Sequence, residues 1–134
     1  MRTKTTLIAA GLAALALAAA GCGGNDEKLL RPGRDQFHTG TCYDAAPAIL
    51  ALGDTAIRLR GASEVSTVDR ATLDAGQKEL RKLRTSAELE KPVKNLVTAI
   101  GFVRLRTDSN TYEPRLMDDL LTAEQQVVKG CINA

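Results

Sequence analysis

Apolar residues follow two rhythms along this chain. From Leu7 to Ala20 they run without a charge, broken only by Gly11. Beyond residue 41 they return in steps of three and four, the spacing of one face of an α-helix. The first such segment is predicted from about Asp44 to Arg60, with Ala45, Ile49, Leu52, Ala56 and Leu59 on its stripe. Pro47 suits a first turn, where no intrahelical N–H is lost. That makes Asp44 the expected N-cap, places Cys42 just before the helix, and leaves Gly61 to end it. A second helix is predicted from about Thr67 to Thr85, with Leu73, Gly76, Leu80, Leu83 and Ala87 in step. Ser66 and Asp69 resemble a capping box there. A third is expected from about Lys91 to Thr107, with Pro92 in its first turn and a face of Val93, Leu96, Ile100 and Val103 flanked by Val97. Asp108-Ser109-Asn110 is a turn cluster. The fourth is expected from about Tyr112 to Cys131, capped by Thr111, with Leu116, Leu120, Ala123, Val127 and Cys131 as its stripe.

No alternating run of β-branched residues is found, so no strand is predicted. Four amphipathic helices with short connections imply antiparallel neighbours. The expected fold is therefore all-α, an up-down-up-down four-helix bundle. Its first helix starts, and its fourth ends, at one pole, and Cys42 and Cys131 occupy those two places. A disulfide between them would close the bundle without distorting it and, on the chain-entropy model, contribute at most about 4–5 kcal/mol. The rival readings are two free thiols, or a metal pair with His38. One imidazole and two distant thiols make a poor zinc set, which wants four ligands at short spacings.

The N-terminal rhythm is that of a secretory signal: Arg2 and Lys4, an apolar middle, then small residues. It is short for a bilayer span, which needs roughly 20 apolar residues. Ala19-Ala20-Gly21-Cys22 resembles the lipobox of bacterial lipoproteins, departing from it at Ala19, where Leu is usual. The resemblance covers residues 1–22 and implies a diacylglyceryl group on the Cys22 thiol and cleavage before Cys22. The alternatives are an ordinary Ala18-Ala19-Ala20 cleavage site and an uncleaved anchor. On the lipoprotein reading residues 1–21 are signal, residues 22–40 are the lipidated cysteine and a flexible tether rich in Gly, Pro and charge, with Leu29, Leu30 and Phe37 as candidates to dock on the domain, and residues 41–134 are the helical domain. As a coil such a tether would span roughly 25 Å.

The chain has 134 residues, enough for one domain. Of its 18 basic residues Arg2 and Lys4 leave with the signal, so the mature part has as many basic as the 16 acidic residues. A neutral chain gives no electrostatic case for nucleic acid. Two Phe, two Tyr and no Trp argue against stacking platforms for bases or sugars.

Catalytic chemistry is not signalled. His38 lies in the expected tether, a poor place for a general base. Asp118 and Asp119 are adjacent, so on a helix they diverge by about 100°. No Glu-x-x-His or Cys-x-x-Cys-His occurs, and Gly23-Gly24 lacks the rest of a phosphate loop. No metal or cofactor is expected. The repeated Arg58-x-Arg60 and Arg104-x-Arg106, at the ends of the first and third helices, would meet at the pole opposite the disulfide. There they are expected either to form an anion site or to complement the helix dipoles. Mycobacterial haemophores are similar in being small exported helical domains with a cysteine near each end. The absence of a domain histidine carries no haem ligand over.

The expected function is that of a non-enzymatic interaction module anchored on the extracytoplasmic face of the cell membrane, with an envelope protein, lipid or wall polymer as partner. The alternative is a carrier of a lipid or other apolar ligand. Small residues at core positions (Ala45, Gly53, Ala56, Gly76, Ala123) fit either close helix packing or an internal cavity. Which of the two they produce separates the readings.

Overall fold

A computed structural model of the chain describes residues 28–83 and 86–133. The expected signal and the Cys22 lipidation site lie outside the described residues. Among these residues are one 3-10 turn, Arg34–Gln36, and four α-helices, α1 (Thr41–Leu59), α2 (Thr67–Lys82), α3 (Ala87–Asp108) and α4 (Arg115–Asn133), with no strand. Both α1 and α3 pack against α2 and α4. Cys42 in the first turn of α1 is bonded to Cys131 in the last turn of α4, with Cα atoms 5.6 Å apart and 89 positions between them in sequence.

The helix starts differ from expectation, and proline chemistry explains the first. Helix α1 begins at Thr41, three residues before Asp44, so Pro47 lies inside it. A proline there leaves the carbonyl four residues back, that of Tyr43, without its helical donor. Arg34 supplies the donor: its Nε lies 3.1 Å from Tyr43 O, and its guanidinium stacks 4.2 Å from the centre of the Tyr43 ring. Gly40, with φ +95°, turns the chain into the helix at an angle few other residues tolerate. Helix α3 also starts early, at Ala87, with Pro92 in its second turn; the carbonyl four residues back, which a proline cannot serve, is that of Glu88, an exposed residue. Ala87, expected in the stripe of α2, is instead an exposed residue of α3.

Other local devices match the sequence. Ser66 caps α2, accepting the Asp69 amide at 3.1 Å, while its hydroxyl donates to Asp69 Oδ2 at 2.7 Å. The turn after α3 is a Schellman closure. Thr111 N–H reaches Arg106 O, Asn110 N–H reaches Thr107 O, and Asn110 takes the left-handed conformation at φ 55°.

The core is built from the predicted stripes of α1 and α3, with Ile49, Leu52, Ala56, Leu96, Ile100 and Val103 fully out of water. On α4 the buried set is broader than expected, adding Met117, Leu121, Glu124 and Val128. Leu116 and Ala123 are only partly covered. Small residues are used for close approach. A Cβ on Gly76 would stand 2.6–2.8 Å from the side-chain carbons of Leu52, and one on Gly130 would collide with Leu89.

Two stability predictions follow from this packing. Gly76→Ala improves helix propensity by about 1 kcal/mol, but Leu52 is enclosed and has nowhere to retreat. The overpacking cost of roughly 1–3 kcal/mol prevails, so denaturant unfolding should find the variant less stable. Cys131→Ala should lose at most about 4–5 kcal/mol by the same assay.

Candidate functional site

The four arginines expected to form an anion site are placed at helix ends, and three of them are already committed. Arg58 forms an ion pair with Asp69 of α2, its second nitrogen lying 3.3 Å from Oδ2. Arg60 Nε lies 2.7 Å from Asp118 of α4. Arg104 Nε lies 2.6 Å from Asp74 Oδ1, both atoms buried, and its Nη1 donates to Gln77 Oε1 at 2.6 Å. Only Arg106 has no carboxylate partner among the described residues. The expected anion cluster is thus neutralised by the domain's own acids, each lying on a neighbouring helix. Asp69, expected in the capping box, and Asp118, expected beside Asp119 on a helix, each meet an arginine that local spacing does not pair with them.

Asp69 is the best defined of these acids. It is 5% exposed, its carboxylate accepts from Arg58 and from the Ser66 hydroxyl, and its pKa is held below the usual carboxylate value. The Arg58 hydrogen bond is the largest cause, opposed by burial and aided by Ser66. Tyr112, at the same end of α1, donates its hydroxyl to Leu59 O at 3.3 Å; burial, with Asp118 nearby, pushes its pKa up.

A second polar cluster was not anticipated. Glu124, in the middle of α4, is 0% exposed. Its Oε1 accepts from Arg31 Nη1 at 2.9 Å, and its Oε2 from Gln125 Nε2 at 2.7 Å. The other terminal nitrogen of Arg31 donates to Leu50 O at 2.8 Å and pairs with Asp54, both on α1. Gly53 makes the room, since a Cβ there would collide with Arg31 and with Glu124. Burial dominates the Glu124 carboxyl and raises its pKa; Gln125 and Arg31 pull it back, and Asp54 adds to the rise.

Residues 28–40 were expected as tether. They lie on the domain instead, as a strap between α1 and α4. Leu30 N–H donates to Gln125 Oε1 at 2.6 Å and Leu30 O accepts from Gln125 Nε2 at 3.0 Å. Phe37 is 3% exposed, and His38 N–H donates to Cys131 O at 3.0 Å. The His38 side chain is exposed.

Among the described residues the large apolar side chains exposed are Leu30, Tyr43 and Ile57, each only just so, and Val68 on α2 with Phe102 and Leu105 on α3; Phe102 and Leu105 are 53% and 61% exposed and one helical turn apart. Among the described residues no group of three or more His, Cys, Asp and Glu could hold a metal ion, and no helix is long and apolar enough to cross a membrane. Comparison of the chain with protein-family models, with curated proteins and with solved structures finds no match.

The two buried carboxylates predict opposite pH behaviour. Asp69 binds its proton less tightly folded than unfolded, so its contribution is complete above about pH 4 and is lost as pH falls through the lowered value. Glu124 holds its proton more tightly when folded, so its contribution is greatest in acid and is lost as pH rises through the raised value. Stability measured against pH should therefore lose part of its acid sensitivity in Asp69→Asn, and part of its decline toward neutral pH in Glu124→Gln.

Proposed function

We propose that this chain is a lipoprotein of the extracytoplasmic membrane face. Cys22 carries the acyl chains, and the helical domain is a non-enzymatic module that binds a component of the cell envelope. The observation that carries the choice between module and carrier is the fate of the small core residues. Gly53, Gly76 and Gly130 are each filled by a neighbour, Arg31 with Glu124, Leu52, and Leu89. Small residues here bring helices and strap together rather than leaving space for a ligand. Apolar surface is turned outward instead, at Phe102 and Leu105, where a partner rather than a cargo would cover it.

The helices in this reading run up-down-up-down. Supporting that order, the start of α1 meets the end of α4 at Cys42–Cys131, and Arg60, just past the end of α1, meets Asp118 near the start of α4. Arg58 near the end of α1 meets Asp69 near the start of α2, and Arg70 there pairs with Asp108 at the end of α3. Leu89 at the start of α3 abuts Gly130 near the end of α4.

Mass spectrometry of protein purified from its own membranes is expected to show a chain beginning at Cys22 with acyl chains attached, each buried CH₂ adding about 0.8 kcal/mol to retention. A chain beginning at Gly21 would sink the lipoprotein reading. A photo-crosslinking residue at position 102, introduced in cells, should join the domain to an envelope component. Native mass spectrometry that instead finds an apolar molecule retained in the unmodified domain would favour the carrier.

A further inference from the structure

A fully buried carboxylate that meets a guanidinium from a different segment makes the docking of that segment depend on charge. The segment here is the strap, and its first half is held by few contacts. Arg31 bridges α4 and α1, and Leu30 pairs twice with the Gln125 side chain. Further on, Phe37 is buried and His38 is bonded to the backbone of Cys131, so the second half is secured apolarly and beside the disulfide. Gln125 itself leans on the same carboxylate, donating to Glu124 Oε2. Both anchor points of the first half therefore converge on Glu124.

We propose that the Arg31–Glu124 contact is a proton-operated latch, in which protonation of Glu124 releases residues 28–33 from the groove between α1 and α4, up to Arg34, which stays bonded to the Tyr43 carbonyl. The charged groups that act on Glu124 are Arg31 from the strap and Asp54 from α1, with the uncharged Gln125 on its own helix. Arg31 favours the ionised carboxyl and Asp54 disfavours it. Coupling is reciprocal: if docked Arg31 favours ionised Glu124, ionised Glu124 favours docked Arg31 to the same degree. Once the carboxyl is protonated, Arg31, whose side chain is 26% exposed, keeps only the solvent-facing Asp54 and the Leu50 carbonyl. Protonated Glu124 meanwhile needs no ionic partner. Burial favours that neutral form, so release falls above the pH at which a free glutamate titrates, about 4.3.

The latch would set the reach of the domain. Six positions separate Cys22 from Lys28, and twelve separate it from Arg34. At about 3.3–3.6 Å per extended residue, release lengthens the maximum span from roughly 20 Å to roughly 40 Å. This consequence rests on the proposed acylation of Cys22; the latch does not.

The test is hydrogen exchange with mass spectrometry on the purified full chain in detergent, corrected for the intrinsic pH dependence of exchange. Between about pH 7 and about pH 4 the protection of residues 29–33 should fall severalfold, while that of residues 34–38 and of α1–α4 persists. Glu124→Gln, which mimics the protonated group, and Arg31→Gln should both leave residues 29–33 unprotected at either pH. Asp54→Asn should keep the transition and move it to lower pH. Equal protection of residues 29–33 at both pH values in the unaltered chain overturns the latch. So does a Glu124→Gln chain as protected as the unaltered one at neutral pH, or loss of the transition in Asp54→Asn. Should Glu124→Gln fail to fold, Arg31→Gln and the titration of the unaltered chain decide. Acylation is read from the intact mass of the same sample, so its absence would remove the membrane-reach consequence without touching the latch.

Discussion

A carboxylate at the centre of α4 cannot stay ionised out of water without a partner, and no helix supplies one. The partner, Arg31, comes from the segment that precedes the helices. That requirement organises one whole side of the molecule. Gly53 is a glycine because the pair occupies the space of its side chain. Once Arg31 brings the strap into the groove, Arg34 is within reach of the carbonyl that Pro47 leaves unpaired. Phe37 then closes over the core and His38 meets the backbone of Cys131. Residues 28–40 are thus a structural element of the domain. The early start of α1 depends on them, because Arg34 serves the carbonyl that its internal proline would otherwise strand.

The opposite side is joined by different means. Helices α1 and α4 share a disulfide, a strap and apolar packing, whereas α2 and α3 meet across a polar seam of Asp74, Gln77 and Arg104, with Arg70–Asp108 beyond it. Exposed pairs of this kind contribute about 0–1 kcal/mol each. Their effect is on register more than on stability. Gln77 is 5% exposed and joins the Val97 carbonyl to Arg104, so sliding α3 along α2 would orphan its buried amide. The same logic applies to the arginines at the helix ends. Each of Arg58, Arg60 and Arg104 finds an acid on an adjacent helix, and the charge that looked available for a ligand is spent on holding helices in place.

Periodicity made the four helices, the stripes of α1 and α3, and the cysteine pair legible, because apolar spacing is a direct record of which face meets the core. The Ser66 cap and the Asn110 turn were legible for the equally local reason that their hydrogen bonds close within a few residues. What escaped involves partners distant in sequence. Pro47 and Pro92 were read by a local rule that confines proline to a first turn, and a long-range donor from Arg34 suspended it for α1. Glu124 did leave a trace: Met117, Leu121, Glu124, Val128 and Cys131 are spaced four, three, four and three, which places the glutamate on a core stripe. Nothing local, however, pairs it with Arg31, 93 positions earlier. The polar anchors of residues 28–40 escaped for the same reason: Leu29, Leu30 and Phe37 marked the segment as able to dock, but composition does not report which buried group it meets.

The strap also constrains how a lipid-anchored domain would be presented. Lys28 and Leu29 line one groove with Ile132, near the end of α4 that bears the disulfide. In the proposed up-down-up-down order the chain therefore leaves toward the anchor from the disulfide pole. Arg106 and Leu105 lie near the other end of α3, and that helix, at 22 residues, is about 33 Å long. With the strap docked, these residues would face away from the membrane that holds Cys22, beyond the reach of its headgroups. A partner for Phe102 and Leu105 would then have to come from elsewhere in the envelope. Release of residues 28–33 would lengthen the tether. The contact between Arg31 and Glu124, which began as the cost of one buried charge, would thus set how far from its anchor the domain can meet other surfaces.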